Sequence, residues 1–290
     1  MRGKRELIAR VCAQSGLTNL IECIPPRRVL MVVNYHRIGN PAETIGDPGV
    51  FSATAEEFDL QIGYLKRRFH LTTLDDALAM ISGEAPWTTS ALITFDDGYL
   101  DNYKIVFPIL RSHGVQGVFF LPTGFVGTGQ LPWWDMIAHI IKKSRNRYVR
   151  LEYPEPATFD LETDGLANTC RDILQLAKKP EMKDAERFVT DLEEACGATR
   201  LQENTERLFL NWDEAREMQL GGMAFGSHTH SHEILSKLSP DKQLEEAVRS
   251  REILERELGR RIDVMAYCFW QLGLAHFGGL IWPTPWDVKV

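Results

Sequence analysis

At 290 residues, 44% of them hydrophobic and 25% charged, the chain has the size and balance of one large folded domain or two smaller ones, and a disordered protein is excluded. Its net charge of −7, from 33 basic and 40 acidic residues, offers no footprint for a phosphate backbone, so nucleic acid is not an expected partner. The five cysteines (Cys12, Cys23, Cys170, Cys196 and Cys268) are widely spaced and odd in number, which suggests neither a disulfide framework nor a thiolate zinc site and fits a reducing compartment.

The chain begins basic at Arg2, Lys4 and Arg5, yet the apolar run 29–33 is too short for a signal-peptide core or a membrane span. A cytoplasmic protein without a transmembrane segment is therefore expected. Residues 1–27 read as a helical segment whose stripe of Leu7, Ile8, Val11, Leu17, Leu20 and Ile21 packs on the floor of the fold or, as the less favoured alternative, rests peripherally on a membrane.

From residue 29 short apolar runs alternate with helical patterns, the rhythm of a parallel sheet wrapped by helices. Residues 29–34 read as a first strand. Thr54 and Glu57 make a capping-box pattern ahead of Phe58, Ile62, Leu65 and Phe69, which share one helical face. A shorter helix at 73–81, a strand at 91–95, a helix at 100–113 and a strand at 118–121 follow. Between about 124 and 217 the alternation fades into charged helical stretches such as 171–177 and 185–195, read as a helical insertion. Asn211 with Glu214 caps a short helix, and then come a strand at 222–225, an amphipathic helix at 240–258 and a strand at 264–267.

Two clusters carry chemistry. Asp96, Asp97 and Gly98 follow the apolar strand 91–95, at the carboxyl end where parallel α/β folds place ligand-binding groups. Adjacent carboxylates repel, so such a pair needs a cation or a shared proton, although Asp-Gly is also an ordinary turn. The second cluster, Gly226-Ser227-His228-Thr229-His230-Ser231-His232, also follows a short strand. Neutral imidazole is the commonest nitrogen ligand for zinc-like ions, against the alternative of a solvated loop. Two imidazoles with one carboxylate form a ligand set that leaves positions open for water and substrate, and a second carboxylate is then available as a general base.

These residues resemble the polysaccharide deacetylases, the NodB-homology group of carbohydrate esterase family 4. ITFDDG at 93–98 and GSHTHSH at 226–232 look like the first two motifs of that family. NYHRI at 34–38, VFFLPTGF at 118–125, WWD at 133–135 and WDEA at 212–215 agree. The resemblance spans roughly 28–267 and implies an α/β fold, a deformed (β/α) barrel, with a catalytic domain at 28–267. It implies a divalent metal ion, zinc by preference, bound by Asp97, His228 and His232. Asp96 would be the catalytic base, and His230 would not touch the metal. The implied reaction removes N- or O-acetyl groups from a polysaccharide or oligosaccharide by attack of a metal-bound water.

The third family motif is only partly present. Met265 to Trp270 carries Cys268 where proline is usual and Trp270 where glycine is usual, while Phe269 keeps the aromatic position whose backbone N–H would help hold the oxyanion. Beyond it the resemblance stops: Leu274-Ala275-His276 lies too close to serve as the family's leucine-x-histidine motif, and residues 268–290 read as an atypical tail in place of the barrel's last strands. A catalytically impaired carbohydrate-binding or assembly protein on the same fold is the alternative. A further reading, in which His228 and His230 form the HxH pair of an amidohydrolase barrel, is disfavoured because that pair normally sits on the first strand. His36 could line the site or be a satisfied histidine at its rim, and Trp134, like Trp133, is a candidate for stacking on a sugar ring or equally for a helix-packing patch.

Overall fold

The computed structural model describes residues 28–179, 181–200 and 207–267 together with the backbone of one strand at 279–281. The expected helix within 1–27 and the assignments to Phe269 and most of the 268–290 tail lie outside the described residues.

The first half of the chain is β1 (Leu30–Tyr35), β2 (Arg37–Ile38), β3 (Phe51–Ala53), α1 (Ala55–Arg68), β4 (His70–Leu71), α2 (Leu74–Ser82), β5 (Ser90–Phe95), α3 (Phe107–His113) and β6 (Gly117–Leu121). Sequence patterns placed most of these, and the physics behind them is visible. The Thr54 hydroxyl accepts the Glu57 N–H, and the Glu57 carboxylate accepts the Thr54 N–H, so α1 opens on a reciprocal cap and buries Phe58, Ile62 and Leu65. The helix expected at 100–113 instead begins with a π turn, Asn102–Val106, because Pro108 has no N–H to continue an α-helical ladder.

The second half begins with α4 (Trp133–Lys142), the hairpin β7 (Tyr148–Leu151) and β8 (Ala157–Asp160), then α5 (Leu166–Lys178), α6 (Ala185–Cys196) and α7 (Trp212–Leu220). It closes with β9 (Ala224–Ser227), α8 (Pro240–Leu258), β10 (Val264–Ala266) and β11 (Gly279–Ile281). The insertion is thus not wholly helical: an antiparallel hairpin sits inside it, its alternation too short to stand out among charged helices. It has a core of its own, which includes Ile137, Ile140, Val149, Ile173, Phe188 and Leu192. Cys170 and Cys196 are buried there as free thiols, pushed up to about 12 and about 11 by burial.

One sheet organises the rest, in the order β1-β5-β6-β9-β10-β11, with β4 sharing the other edge of β5 with β6. Every pairing is parallel except β10 with β11. The architecture is the expected α/β type, a curled half-barrel of parallel strands with helices around it. Because parallel sheets are covered on both faces, β5 and β6 are buried at every residue.

An aromatic ladder fixes the register. Tyr35, Phe95, Phe119 and Phe225 pair in that order across β1, β5, β6 and β9, with ring centroids 5.4, 4.8 and 5.9 Å apart. Such contacts add about 0.5–1.5 kcal/mol each beyond their burial. Their consequence for function is alignment: the residues just after Phe95 and Phe225, where the two chemical clusters lie, leave the sheet at the same level.

A second fastening lies below the site. The Arg37 guanidinium donates to Asp101 at 2.7 Å, the Ile38 N–H donates to the other Asp101 oxygen at 3.1 Å, and Arg37 also lies over the Phe51 and Tyr99 rings. Both partners are nearly inaccessible. Asp101→Ala would leave a buried guanidinium uncompensated and is expected to cost about 3–5 kcal/mol. Urea unfolding of the two proteins checks this, and a loss below about 1 kcal/mol would contradict it.

Candidate metal centre

The first cluster is built by a sharp turn. The Asp96 N–H still donates to the Tyr35 carbonyl at 2.9 Å, continuing the sheet, but Asp97 has φ 72° and Gly98 φ 66°. Aspartate tolerates this left-handed region better than most residues, and glycine is required next, since a Cβ on Gly98 would stand 2.6 Å from the Leu121 side chain. The turn drives the Asp97 carboxylate back over the strand ends, where it is buried.

The second cluster returns to the same place. The His228 N–H donates to the Leu121 carbonyl at 3.0 Å, after which Thr229 (φ 65°) and His232 (φ 55°) also take left-handed backbone, at a cost of about 1–2 kcal/mol each. The Thr229 hydroxyl accepts the His232 N–H at 3.2 Å and closes the loop. His228 Nε2 comes to 3.5 Å and His232 Nε2 to 3.1 Å from Asp97 Oδ1. All three side chains are buried, with ligand atoms within 4.8 Å of one another.

This geometry fits a divalent ion. Tetrahedral ligands held at about 2.0–2.1 Å from zinc stand roughly 3.3 Å from each other, which the two distances bracket. The donor types are the nitrogen and oxygen donors that zinc accepts. His228 Nδ1 donates to the Ala266 carbonyl of β10 at 2.9 Å, so a neutral His228 turns the lone pair of Nε2 toward the Asp97 oxygen. Two acceptors facing each other in a buried site need a cation, or a proton, between them. With protons on the imidazoles in place of an ion, burial would raise the Asp97 pKa, but hydrogen bonds from His228 and His232 and the nearby imidazole charges outweigh it and hold this carboxyl well below the usual range.

Asp96 stands beside the triad but is turned differently. The Asn34 amide donates to Asp96 Oδ2 at 2.7 Å, and the Thr94 hydroxyl donates to the Asn34 carbonyl oxygen at 2.9 Å, which fixes the direction of the amide. His36 Nε2 lies 3.9 Å from the same Asp96 oxygen, its side chain more exposed than that carboxylate. His230 is directed elsewhere, its Nδ1 2.9 Å from the Thr123 hydroxyl, and is not among the converging ligands.

Trp134 is a correction. Its indole is 4% exposed, donates to the Tyr99 hydroxyl at 2.7 Å and lies 4.3 Å, centroid to centroid, from the His232 ring. A ring with no open face cannot stack on a sugar; it forms the apolar wall behind a histidine instead. Sequence reading also missed what holds it. The Tyr99 hydroxyl donates to Asp135 at 2.8 Å, the Asp47 N–H donates to the other Asp135 oxygen at 2.7 Å, and Lys142 ties the carbonyls of Thr44 and Gly46 to α4. The WWD string was visible, but its partners are remote in sequence, so no local pattern announced them.

Burial raises the Asp135 carboxyl from 3.8 to about 6, against the opposing hydrogen bonds from Asp47 and Tyr99. The folded state therefore holds this proton more tightly than the unfolded chain. Stability is expected to fall as pH rises from about 4 to about 6, by about 3 kcal/mol in all, and to level off above. Asp135→Asn should remove that slope; parallel urea titrations across this range, with no difference in slope between the proteins, would count against it.

Comparison with known proteins identifies the family of the chain. A family model described as polysaccharide deacetylase matches residues 85–146 and 157–270, more than half of the chain. YxkH of Bacillus subtilis (strain 168), which carries a polysaccharide-deacetylase name, is 32% identical over 68 residues, a stretch that spans 23% of this chain and 24% of that protein. Among solved structures, the Streptococcus pyogenes deacetylase PplD in complex with acetate is 18% identical, with a TM-score of 0.48 over 84% of this chain and 75% of that one. IcaB from Ammonifex degensii is 19% identical, with a TM-score of 0.48 over 82% and 73%.

Proposed function

We propose, from the premise that this chain belongs to the polysaccharide deacetylase family, that it hydrolyses N- or O-acetyl groups on a polysaccharide or oligosaccharide. The observation that carries the reading is the meeting of Asp97 Oδ1 with the Nε2 atoms of His228 and His232, beside a second carboxylate that is not part of the ligand set.

Asp97, His228 and His232 would hold one divalent ion, zinc by the chemistry of the donors. When bound, that ion supplies Lewis acidity toward the acetyl carbonyl and acidifies water near it. The chain's own groups do the rest. Asp96, steadied by Asn34, accepts the proton of the attacking water. Trp134 closes the back of the site to bulk water through its packing on His232. The Phe269 backbone N–H is the proposed oxyanion donor, and residues 28–267 the proposed catalytic unit.

The HxH reading loses its basis, since His230 points to Thr123 rather than to the triad. Among the described residues no helix is long and apolar enough to cross a membrane.

The test is acetate release from a panel of N- and O-acetylated oligosaccharides by the purified chain, before and after metal removal. Release that is lost on chelation and restored by zinc is expected. No release from any member of the panel by the zinc-loaded protein would sink the reading.

A further inference from the structure

The histidine ligands sit on a loop that cannot be expected to keep its shape unaided. Thr229 and His232 both have left-handed backbone, and such conformations persist where surrounding groups over-determine them. One side of the loop is fastened by the segment after β6. The Thr123 and Gly124 N–H groups donate to the carbonyls of Thr229 and His230 at 3.2 and 2.8 Å, and a Cβ on Gly124 would stand 2.7 Å from the His230 oxygen.

The other side is fastened by a single carboxylate. Glu246, on α8, accepts the N–H groups of His230 and Ser231 on one oxygen, at 2.9 and 2.8 Å. Its second oxygen accepts the Ser231 hydroxyl at 2.8 Å. Hydrogen bonds to an ionised acceptor are among the stronger ones, and these grip the backbone directly ahead of His232. None of the three is made to an imidazole of the triad.

We propose that Glu246 is the positioning residue of the metal centre: seated on the backbone of residues 230 and 231, its carboxylate holds the loop in the shape that brings His232 Nε2 to Asp97 Oδ1, and so sets metal affinity without touching the metal. The inference rests on the metal-site reading above. It assigns His232 a different support from His228, whose ring is oriented by the Ala266 carbonyl. A glutamine at 246 would keep the seat, since one amide oxygen can accept both N–H groups as one carboxylate oxygen does now, and its NH2 can donate to Ser231. An aspartate, one methylene shorter, would not reach.

The experiment measures the zinc dissociation constant by chelator competition, with the visible spectrum of the cobalt-substituted protein as a geometric readout, for wild type, E246Q, E246D and E246L. Outer partners of metal ligands change affinity by about 10–100-fold. E246Q is expected to stay within about threefold of wild type, whereas E246D and E246L should weaken zinc by about tenfold or more and alter the cobalt spectrum. Should E246L fail to fold, E246D decides the matter. An E246D protein with wild-type zinc affinity and an unchanged cobalt spectrum would overturn the proposal while leaving the metal site standing. A wild-type chain that binds no zinc would overturn the metal reading itself, and this inference with it.

Discussion

Asp96→Asn should leave the metal affinity nearly unchanged and lower acetate release by about a hundredfold to ten-thousandfold, the usual contribution of a positioned general base. The substitution is close to isosteric, and the neighbouring contacts make it more severe than loss of charge alone. The Thr94 hydroxyl fixes the Asn34 amide so that its NH2 faces residue 96 at 2.7 Å. An asparagine at 96 would satisfy that donor with its carbonyl oxygen and turn its own NH2 toward the site, presenting a donor where an acceptor is needed. Turnover and metal content measured on one preparation separate the two effects. An Asp96→Asn protein that releases acetate at the wild-type rate would exclude Asp96 as the base.

Replacing Asp97, His228 or His232 by alanine should have the opposite signature, with metal lost first and activity following. A three-ligand site has little redundancy, and removing a ligand must exceed the 10–100-fold penalty typical of losing an outer partner. A weakening of on the order of a hundredfold or more is therefore expected for each, read by equilibrium dialysis or chelator competition. His230→Ala is the control within the same loop. Its imidazole meets Thr123, while the backbone contacts of residue 230 survive the substitution, so its affinity should stay within a few-fold of wild type. If His230→Ala were empty and His232→Ala fully loaded, the ligand set would be wrong.

The sequence showed the parts of this site but not their fastenings. Asp96, Asp97 and the histidine cluster were legible because each follows an apolar run, and parallel strands deliver their carboxyl ends to one face. Their convergence depends on register, which the ladder from Tyr35 to Phe225 sets between residues far apart in the chain. Asn34 reads locally as the end of a strand; only the pairing of β1 with β5 shows that it faces Thr94 and reaches Asp96. Trp134 invited a sugar-binding role because tryptophan suits it, yet its hydrogen-bond partner, Tyr99, lies 35 residues away in the chain, and burial decided otherwise. The hairpin β7–β8 escaped notice because eight alternating residues are a weak signal inside a charged stretch. Caps, by contrast, are local chemistry, and those at Thr54 and Asn211 form as expected.

The bond from His228 to Ala266 couples the candidate ligand set to β10, the strand next to the edge of the sheet. β10 meets β9 through a single paired position, Met265 with Ser227, so it is fastened to its parallel neighbour far less than β5 or β6 are to theirs. Yet its carbonyl selects which nitrogen of His228 carries the proton. When β10 loosens from β9, the imidazole loses the acceptor that sets its tautomer, and the other tautomer would turn an N–H toward Asp97 and remove a ligand. Local opening at weakly paired strands occurs at a fraction of the free energy of global unfolding. Metal affinity at the proposed site is therefore expected to fall as this strand loosens, while the aromatic ladder is still intact.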